Sequence, residues 1–284
     1  MHPCLHPATL RTGLDLATIT RVASGAGFQY FETSANAMRL ATEDGGEAGL
    51  HWLFQENACN PVHCGWSAGL RSSRLDFEAA MARTEQEMQL VSQHGVQGGG
   101  LVLPFRREPN APDPDEGDTI DRIQQVAERG DAHGLYTVLE FVGLHTADAP
   151  AATYHSLADT MALIGRVNRP NVGVLLDSYH WYLSGGTAAE IAAIPTGMPL
   201  FVHINDAPSG DVERLDDSMR VLPGEGVIDL DAYLGAVAAR EYDGPVSIEL
   251  FSEKLRAMEP TEAARIALGA TVEAINRVVG RSEQ

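Results

Sequence analysis

The chain has 284 residues, a formal net charge of −19 at pH 7 and a sequence pI near 4.8. Hydrophobic residues make up 44% and charged residues 21%, a composition typical of a globular protein and not of a disordered or fibrous one. Because so negative a surface repels nucleic-acid phosphates and anionic lipids, we expect neither nucleic acid nor a membrane as a partner.

Short β-rich runs alternate with longer segments of helical period along the chain, a pattern that predicts parallel βα units. The predicted strands cover residues 3–6, 28–33, 58–63, 99–103, 135–141, 172–176, 200–204 and 246–250. The predicted helices cover residues 16–25, 75–93, 119–132, 153–167, 229–239 and 261–279. Eight strands in a chain of this length favour a single α/β domain over residues 1–284, folded as a (β/α)₈ TIM barrel.

The three cysteines, Cys4, Cys59 and Cys64, are too few and too irregularly spaced for a disulfide framework or a metal clip, so we expect free thiols. The sequence shows no signal-peptide pattern, and no segment reaches the roughly 18 apolar residues of a membrane span. These features favour a cytoplasmic protein.

Possible metal ligands stand at the ends of the last four predicted strands, where a TIM barrel builds its active site. Glu140 closes the fifth strand, Asp177 closes or just follows the sixth, and His203 and Glu249 lie in the seventh and eighth. A carboxylate among apolar residues is costly to bury unless a cation balances it. One such acid would more often form a salt bridge or cap a helix, but three acids and a histidine at the ends of four successive strands favour one shared metal ion.

The expected donor set is three carboxylates and one imidazole, which suits Mn²⁺, Mg²⁺ or Co²⁺ better than the thiolate-rich sites that select structural zinc. We expect Mn²⁺ first. An octahedral ion with four protein ligands keeps two positions open for adjacent oxygens of a substrate.

Several motifs in this order resemble those of the xylose isomerase-like TIM barrels, which include sugar isomerases, ketose 3-epimerases and inosose dehydratases and are related to endonuclease IV. The resemblance covers nearly the whole chain. Besides Leu-Glu140 and Ile-Glu249, its motifs are Leu-Asp177-Ser-Tyr-His180, Val-His203-Ile-Asn-Asp206 and Pro223-Gly-Glu-Gly226-Val-Ile-Asp229.

The resemblance implies that Glu140 and Glu249 are an acid/base pair as well as metal ligands. Such a pair moves a proton at the carbon next to a carbonyl through a metal-stabilised enediolate. Returning the proton to the other face of that carbon is epimerisation, and returning it to the neighbouring carbon is isomerisation. We therefore expect an isomerase or epimerase of a small ketose or keto-sugar.

Five further polar residues are candidates for substrate binding, each with a structural alternative. By resemblance, His180 lies in the loop after the sixth strand and contacts a substrate oxygen. Asp206 holds either His203 or a substrate hydroxyl, although capping of the next helix is nearly as plausible. Three other residues could bind substrate or simply pack: Arg220, His145 and His63. Glu32, at the end of the second strand, occupies a frequent family position or is structural.

The sequence leaves the reaction type open, because Glu140-Phe-Val-Gly-Leu-His145 departs from the pattern of the epimerases. The first alternative is a lyase that dehydrates a keto-cyclitol or cleaves a keto-sugar from its aglycone, with or without a partner subunit. A non-catalytic sugar-binding barrel is the second. DNA repair is disfavoured, because the Asp-x-His ligand pair of endonuclease IV is missing. We expect a neutral polyol or keto-sugar as ligand, and the resemblance suggests a homo-oligomer.

Overall fold

The computed structural model describes residues 1–70, 72–104, 115–143 and 154–282. Its strands are β1 (His2–Leu5), β2 (Tyr30–Ser34), β3 (Asn60–Gly65), β4 (Gly98–Val102), β5 (Tyr136–Glu140), β6 (Val172–Asp177), β7 (Leu200–Ile204) and β8 (Pro245–Ile248). They are all parallel and close into a barrel in chain order, with β8 pairing back onto β1. The predicted TIM barrel fold is confirmed.

Helices pack around the barrel. They are α1 (Leu16–Ala26), α2 (Ala35–Asn57), α3 (Arg74–Ser92), α4 (Glu116–Ala132), α5 (Leu157–Val167), α6 (Ser178–Leu183), α7 (Ala188–Ala192), α8 (Leu230–Ala238), α9 (Glu253–Arg256) and α10 (Pro260–Ser282). Short 3₁₀ turns cover Pro7–Thr9, Val212–Arg214 and Asp217–Met219. None of the helices in the described residues is both long and apolar enough to cross a membrane.

The predicted and observed elements differ in two ways. Most strand ends shift by one or two residues, so that His63 lies inside β3 instead of ending it, and Glu249 follows β8 instead of lying within it. Helices α2, α6, α7 and α9 were not predicted. In α2 the adjacent glycines Gly45 and Gly46 weaken the helical pattern, and the helix is interrupted at Gly46, whose φ is 63°.

Two hydrophobic layers hold the fold together. The larger layer fills the space between the strands and the surrounding helices. The smaller one fills the barrel interior with one residue from each of five strands, which are Cys4, Val62, Val138, Leu175 and Phe201. This interior layer forms a packed floor, and the side chains just beyond it, at the carboxyl ends of the strands, line the barrel mouth.

Candidate metal centre

Strand alternation explains how three polar side chains converge above the interior layer. Side chains two residues apart point to the same face of a strand. Three residues of the interior layer are each followed, two positions later, by a polar residue, so the polar side chain also faces the barrel axis. The pairs are Val138 with Glu140, Leu175 with Asp177, and Phe201 with His203. Asp177 and His203 are direct neighbours in the β6–β7 register.

The fourth polar group, Glu249, is the first residue after β8. One oxygen or nitrogen atom from each of Glu140, Asp177, His203 and Glu249 lies within 4.8 Å of the others. Ligands held at about 2.1 Å from one ion are about 3–4 Å apart, so small side-chain movements would bring all four onto a single cation.

The ring of His203 supports this assignment. Its Nδ1 lies 3.3 Å from Oε2 of Glu249, 3.7 Å from Oδ2 of Asp177 and 3.9 Å from Oε1 of Glu140. The atom is buried and has no hydrogen-bond partner within the described part of the chain. A buried, unpartnered imidazole nitrogen that faces three carboxylates has the surroundings a divalent cation requires, and the residues present fit such an ion.

The other ring nitrogen of His203, Nε2, contacts Glu32, a residue whose role the sequence left open. Nε2 lies 2.9 Å from Oε1 of Glu32, which is buried inside the barrel. The sequence had offered Asp206 as a partner of His203 or of a substrate hydroxyl, or as a helix cap; in the structure Glu32, and not Asp206, contacts Nε2. Both oxygens of Asp206 instead accept backbone N–H groups, from Ala207, Gly224, Gly226 and Ile228, and so fix the turn before α8.

Arg220 is buried and contacts four polar side chains of the site. Its Nη1 donates to Oε2 of Glu249 at 2.7 Å and to Oδ2 of Asp177 at 3.1 Å. Its Nη2 donates to Oδ1 of Asp217 at 2.9 Å and contacts Nε2 of His180 at 3.1 Å. When all three ligand carboxylates are ionised, they and this one guanidinium sum to two negative charges, which one divalent cation would balance.

Burial and neighbouring positive charges shift the pKa of the carboxylates in opposite directions. Burial by itself raises the pKa of Asp177, but Arg220, His180 and His203 outweigh it and hold the pKa below its usual value. Glu249 behaves similarly: His6, Arg220 and His203 overcome burial and hold its pKa well below the usual range. Both carboxylates are thus ionised at neutral pH.

Glu140 differs from the other two carboxylates. Burial, followed by repulsion from Glu249, raises the pKa of Glu140 from 4.5 to about 8. No cation contacts it as Arg220 contacts Glu249 within the described residues. In protein without metal, one glutamate of the pair is therefore protonated and the other ionised near neutral pH.

His180 lies in helix α6, and the expectation that it sits in a loop is wrong. The helix begins at once after β6 because Oδ1 of Asp177 accepts the backbone N–H groups of Tyr179 and His180. Since Nε2 of His180 faces a donor on Arg220, the ring proton belongs on Nδ1. That Nδ1 is buried and has no partner among the residues described.

His6 and Asn205 are two further site residues that the sequence analysis missed. Nδ1 of His6 accepts the backbone N–H of Ala8, so Nε2 carries the proton, and it points at Oε1 of Glu249 from 3.5 Å. The side chain of Asn205 donates to Oδ2 of Asp177 at 2.8 Å. A histidine directly after β1 was the one signal that could have indicated His6.

The remaining predicted substrate residues do not face the barrel mouth or cannot be placed. His63 is 1% exposed, and its ring stacks on Phe201 with centroids 3.9 Å apart. This buried position inside the barrel favours the packing alternative, and a contact of His63 with substrate stays a prediction. His145 lies outside the described residues.

Comparison with known proteins places the site in context. A family model described as xylose isomerase-like TIM barrel matches residues 20–272. An inosose isomerase of Bacillus subtilis is 31% identical over 160 residues, which is 56% of this chain and 55% of the relative. A 3-dehydroshikimate dehydratase of Pseudomonas aeruginosa is 34% identical over 145 residues, which is 50% of this chain and 22% of the relative.

Both relatives are enzymes by name, and the match spans about half of the isomerase and less of the dehydratase. A solved structure of the IOLI protein with a bound zinc atom has a TM-score of 0.85, at 23% identity, over 98% of this chain and 99% of that chain. This similarity shows a shared fold.

Proposed function

Since the chain belongs to the xylose isomerase-like TIM barrel family, we propose that it is a divalent-metal-dependent isomerase or epimerase of a small, neutral ketose or keto-polyol. The observation that carries the proposal is the convergence of four ligand atoms from Glu140, Asp177, His203 and Glu249 at the barrel mouth. The name of the inosose isomerase relative is consistent with such a substrate.

These four residues would hold the metal, and a bound divalent cation would supply Lewis-acid stabilisation of negative charge on substrate oxygens. Manganese is our first choice because oxygen ligands dominate the set. Mg²⁺ and Co²⁺ are also compatible, and the zinc in the IOLI protein adds Zn²⁺ to the ions that need testing.

Glu249 has one oxygen suited to proton transfer. Its Oε2 accepts a hydrogen bond from Arg220, whereas Oε1 is turned toward His6 and makes no closer polar contact than 3.5 Å within the described residues. Oε1 would take the proton from the carbon next to the substrate carbonyl. Glu140, on another strand, would return a proton to the neighbouring carbon or to the opposite face of the same carbon.

Two histidines are suited to hold substrate oxygens. His6 presents Nε2–H beside Oε1 of Glu249, so one substrate hydroxyl could accept from His6 and donate to the carboxylate. His180 presents an unpartnered Nδ1–H, because Arg220 occupies its other nitrogen. A hydroxyl group satisfies such mixed donor and acceptor positions, which favours a polyol.

The contacts of Arg220 also bear on substrate charge. Both of its Nη atoms bind protein carboxylates, so the guanidinium has little capacity left for a substrate carboxylate or phosphate. This observation supports a neutral substrate over a keto-acid or a sugar phosphate.

A lyase is the second candidate, and the 34% identity to a dehydratase favours it. The same proton abstraction by Glu249 leads to elimination when the next carbon bears a leaving group. In that case a protonated Glu140 would give its proton to the departing hydroxyl, and water would leave.

Solvent exchange tests the proposal. Wild-type protein is incubated in D₂O with a panel of ketoses and keto-cyclitols, with Mn²⁺ and then with EDTA, and products are followed by NMR and mass spectrometry. We expect Mn²⁺-dependent deuterium at the carbon next to the carbonyl, with no other change of composition. Loss of water would favour the lyase, and no exchange with any compound would count against both candidates.

Substitutions then assign the acid/base pair. Glu140→Gln and Glu249→Gln should each abolish exchange, because an amide cannot accept the proton. Glu253→Gln is the control, since Glu253 is an exposed glutamate only four residues from Glu249. It should exchange like wild type.

A further inference from the structure

A register shift in the sheet brings a second histidine to Glu32. Strands β2 and β3 pair Phe31 with Pro61, and then Glu32 with His63, so that Val62 is passed over. A bulge of this kind re-aims a side chain, and here it turns the ring of His63 into the barrel, level with Glu32.

Glu32 then contacts one histidine with each oxygen. Its Oε2 accepts a hydrogen bond from Nδ1 of His63 at 2.9 Å, and its Oε1 lies 2.9 Å from Nε2 of His203. The three side chains are almost completely buried, at 3%, 1% and 3% exposure for Glu32, His63 and His203. Because a histidine ring contacts each oxygen, the orientation of the Glu32 carboxylate is fixed.

The surrounding residues make room for this arrangement. A Cβ atom on Gly100 would lie 3.3 Å from Cε1 of His63, closer than most such contacts, so glycine leaves the ring its space. Phe201 covers one face of the same ring at an interplanar angle of 13°. The bulge, the glycine and the stacked ring all fix the position of His63, and through it that of Glu32.

We propose that Glu32 is a positioning residue for the metal centre, braced by His63, and that it orients His203 so that Nδ1 faces the cation. The proposal rests on the metal site of the proposed function. A proton on Nε2, which lies 2.9 Å from Oε1 of Glu32, would leave the lone pair of Nδ1 facing Glu140, Asp177 and Glu249. A carboxylate at this position also makes the imidazole a better donor to a metal.

The test is Co²⁺ binding to Glu32→Gln, measured by titration calorimetry and by the visible absorption spectrum of the bound ion. An amide can accept from only one of the two histidines, so the ring of His203 loses its fixed orientation. We expect Co²⁺ affinity to fall about 10- to 100-fold and the spectrum to change. Neither change requires turnover, and simple loosening of the fold would not alter the spectrum of the ion that remains bound.

Glu87→Gln is the matched control. Glu87 is also a 3% exposed glutamate, but it lies on α3 and accepts a hydrogen bond from Ser67, outside the site. We expect wild-type Co²⁺ affinity and spectrum from this variant. If Glu32→Gln does not fold, His63→Gln removes only the brace, and we expect a smaller loss of affinity with the same type of spectral change.

Unchanged affinity and spectrum in Glu32→Gln, or in His63→Gln if that is the variant that folds, would overturn the positioning role and leave the proposed function intact. Failure of the wild type to bind Co²⁺ would overturn both together. The two results are separated by the wild-type titration alone.

Discussion

Nη1 of Arg220 lies 2.7 Å from Oε2 of Glu249, and both groups are almost completely shielded from solvent, with side chains 1% and 12% exposed. The same nitrogen contacts Asp177, so a single guanidinium neutralises part of the charge on two of the proposed metal ligands. The buried cation therefore holds the ligand carboxylates in place before any metal arrives.

Arg220→Met should destabilise protein stripped of metal. Removing one partner of a buried ion pair leaves its carboxylates unbalanced, and we expect the free energy of unfolding to fall by about 3–5 kcal/mol. Saturating Mn²⁺ should recover part of the loss, because the ion supplies the missing positive charge. Denaturant unfolding with and without Mn²⁺ measures both effects.

Arg74→Met is the control for that measurement. Arg74 also contacts carboxylates, those of Asp118, Asp121 and Glu78 at 2.9, 2.8 and 3.3 Å, but its side chain is 46% exposed. Water screens such a pair, so we expect a much smaller change. Equal destabilisation by the two substitutions would contradict the role given to the buried guanidinium.

The raised pKa of Glu140 predicts a specific pH dependence in metal-free protein. In the folded chain Glu140 keeps its proton up to about pH 8, whereas in the unfolded chain it releases the proton near 4.5. The folded state binds more protons in this window, so the contribution of Glu140 to stability is present below about 4.5 and is lost as pH rises toward 8.

Glu140→Gln removes this dependence, since an amide does not titrate. Its free energy of unfolding, relative to wild type, should therefore rise as pH increases from 4.5 to 8 in the presence of a chelator. Unfolding curves at several pH values provide the comparison. A constant difference between the two proteins across this range would show that Glu140 titrates normally.

Asp206 should matter for stability and not for metal binding. In the wild type, backbone N–H groups donate to both carboxylate oxygens of Asp206. Asp206→Asn places an amide N–H₂ against some of these donors, and we expect the free energy of unfolding to fall by about 3 kcal/mol. Asp211→Asn, an exposed cap in the same loop, should change little. Loss of Mn²⁺ affinity in a stable Asp206→Asn protein would instead support the contact with His203 expected from sequence.

His6 provides a prediction for activity. His6→Phe removes the N–H beside Glu249, and we expect kcat/KM for the most reactive compound of the panel to fall about 10- to 100-fold. His6→Gln, whose amide nitrogen can occupy the place of Nε2, should lose less. Mn²⁺ stoichiometry should stay at the wild-type value in both variants, and its loss would mean that His6 acts on the metal ligands themselves.

The sequence predicted those features of the fold and site that depend on local patterns of residues. Alternation of strands and helices indicated the barrel, and the positions of Glu140, Asp177 and His203 at the ends of predicted strands indicated that they would meet at the barrel mouth. The structure brings them together with Glu249, while their role as metal ligands stays a prediction.

Contacts between distant segments could not be predicted in the same way. The pairing of Glu32 with His63 depends on a one-residue bulge, which leaves no mark in the hydrophobic pattern. The hydrogen bonds of Asp206 reach residues 18 to 22 positions further along the chain. His6 becomes a site residue only because β1 lies beside β8 in the closed barrel.

Anomalous diffraction from crystals soaked in Mn²⁺ tests the central claim most directly. We expect one anomalous peak at the barrel mouth, about 2.1 Å from atoms of Glu140, Asp177, His203 and Glu249, and no such peak in crystals of His203→Gln at the same Mn²⁺ concentration. A wild-type crystal without a peak at this position, or with the ion bound elsewhere, would contradict the assignment of these four residues as a metal centre.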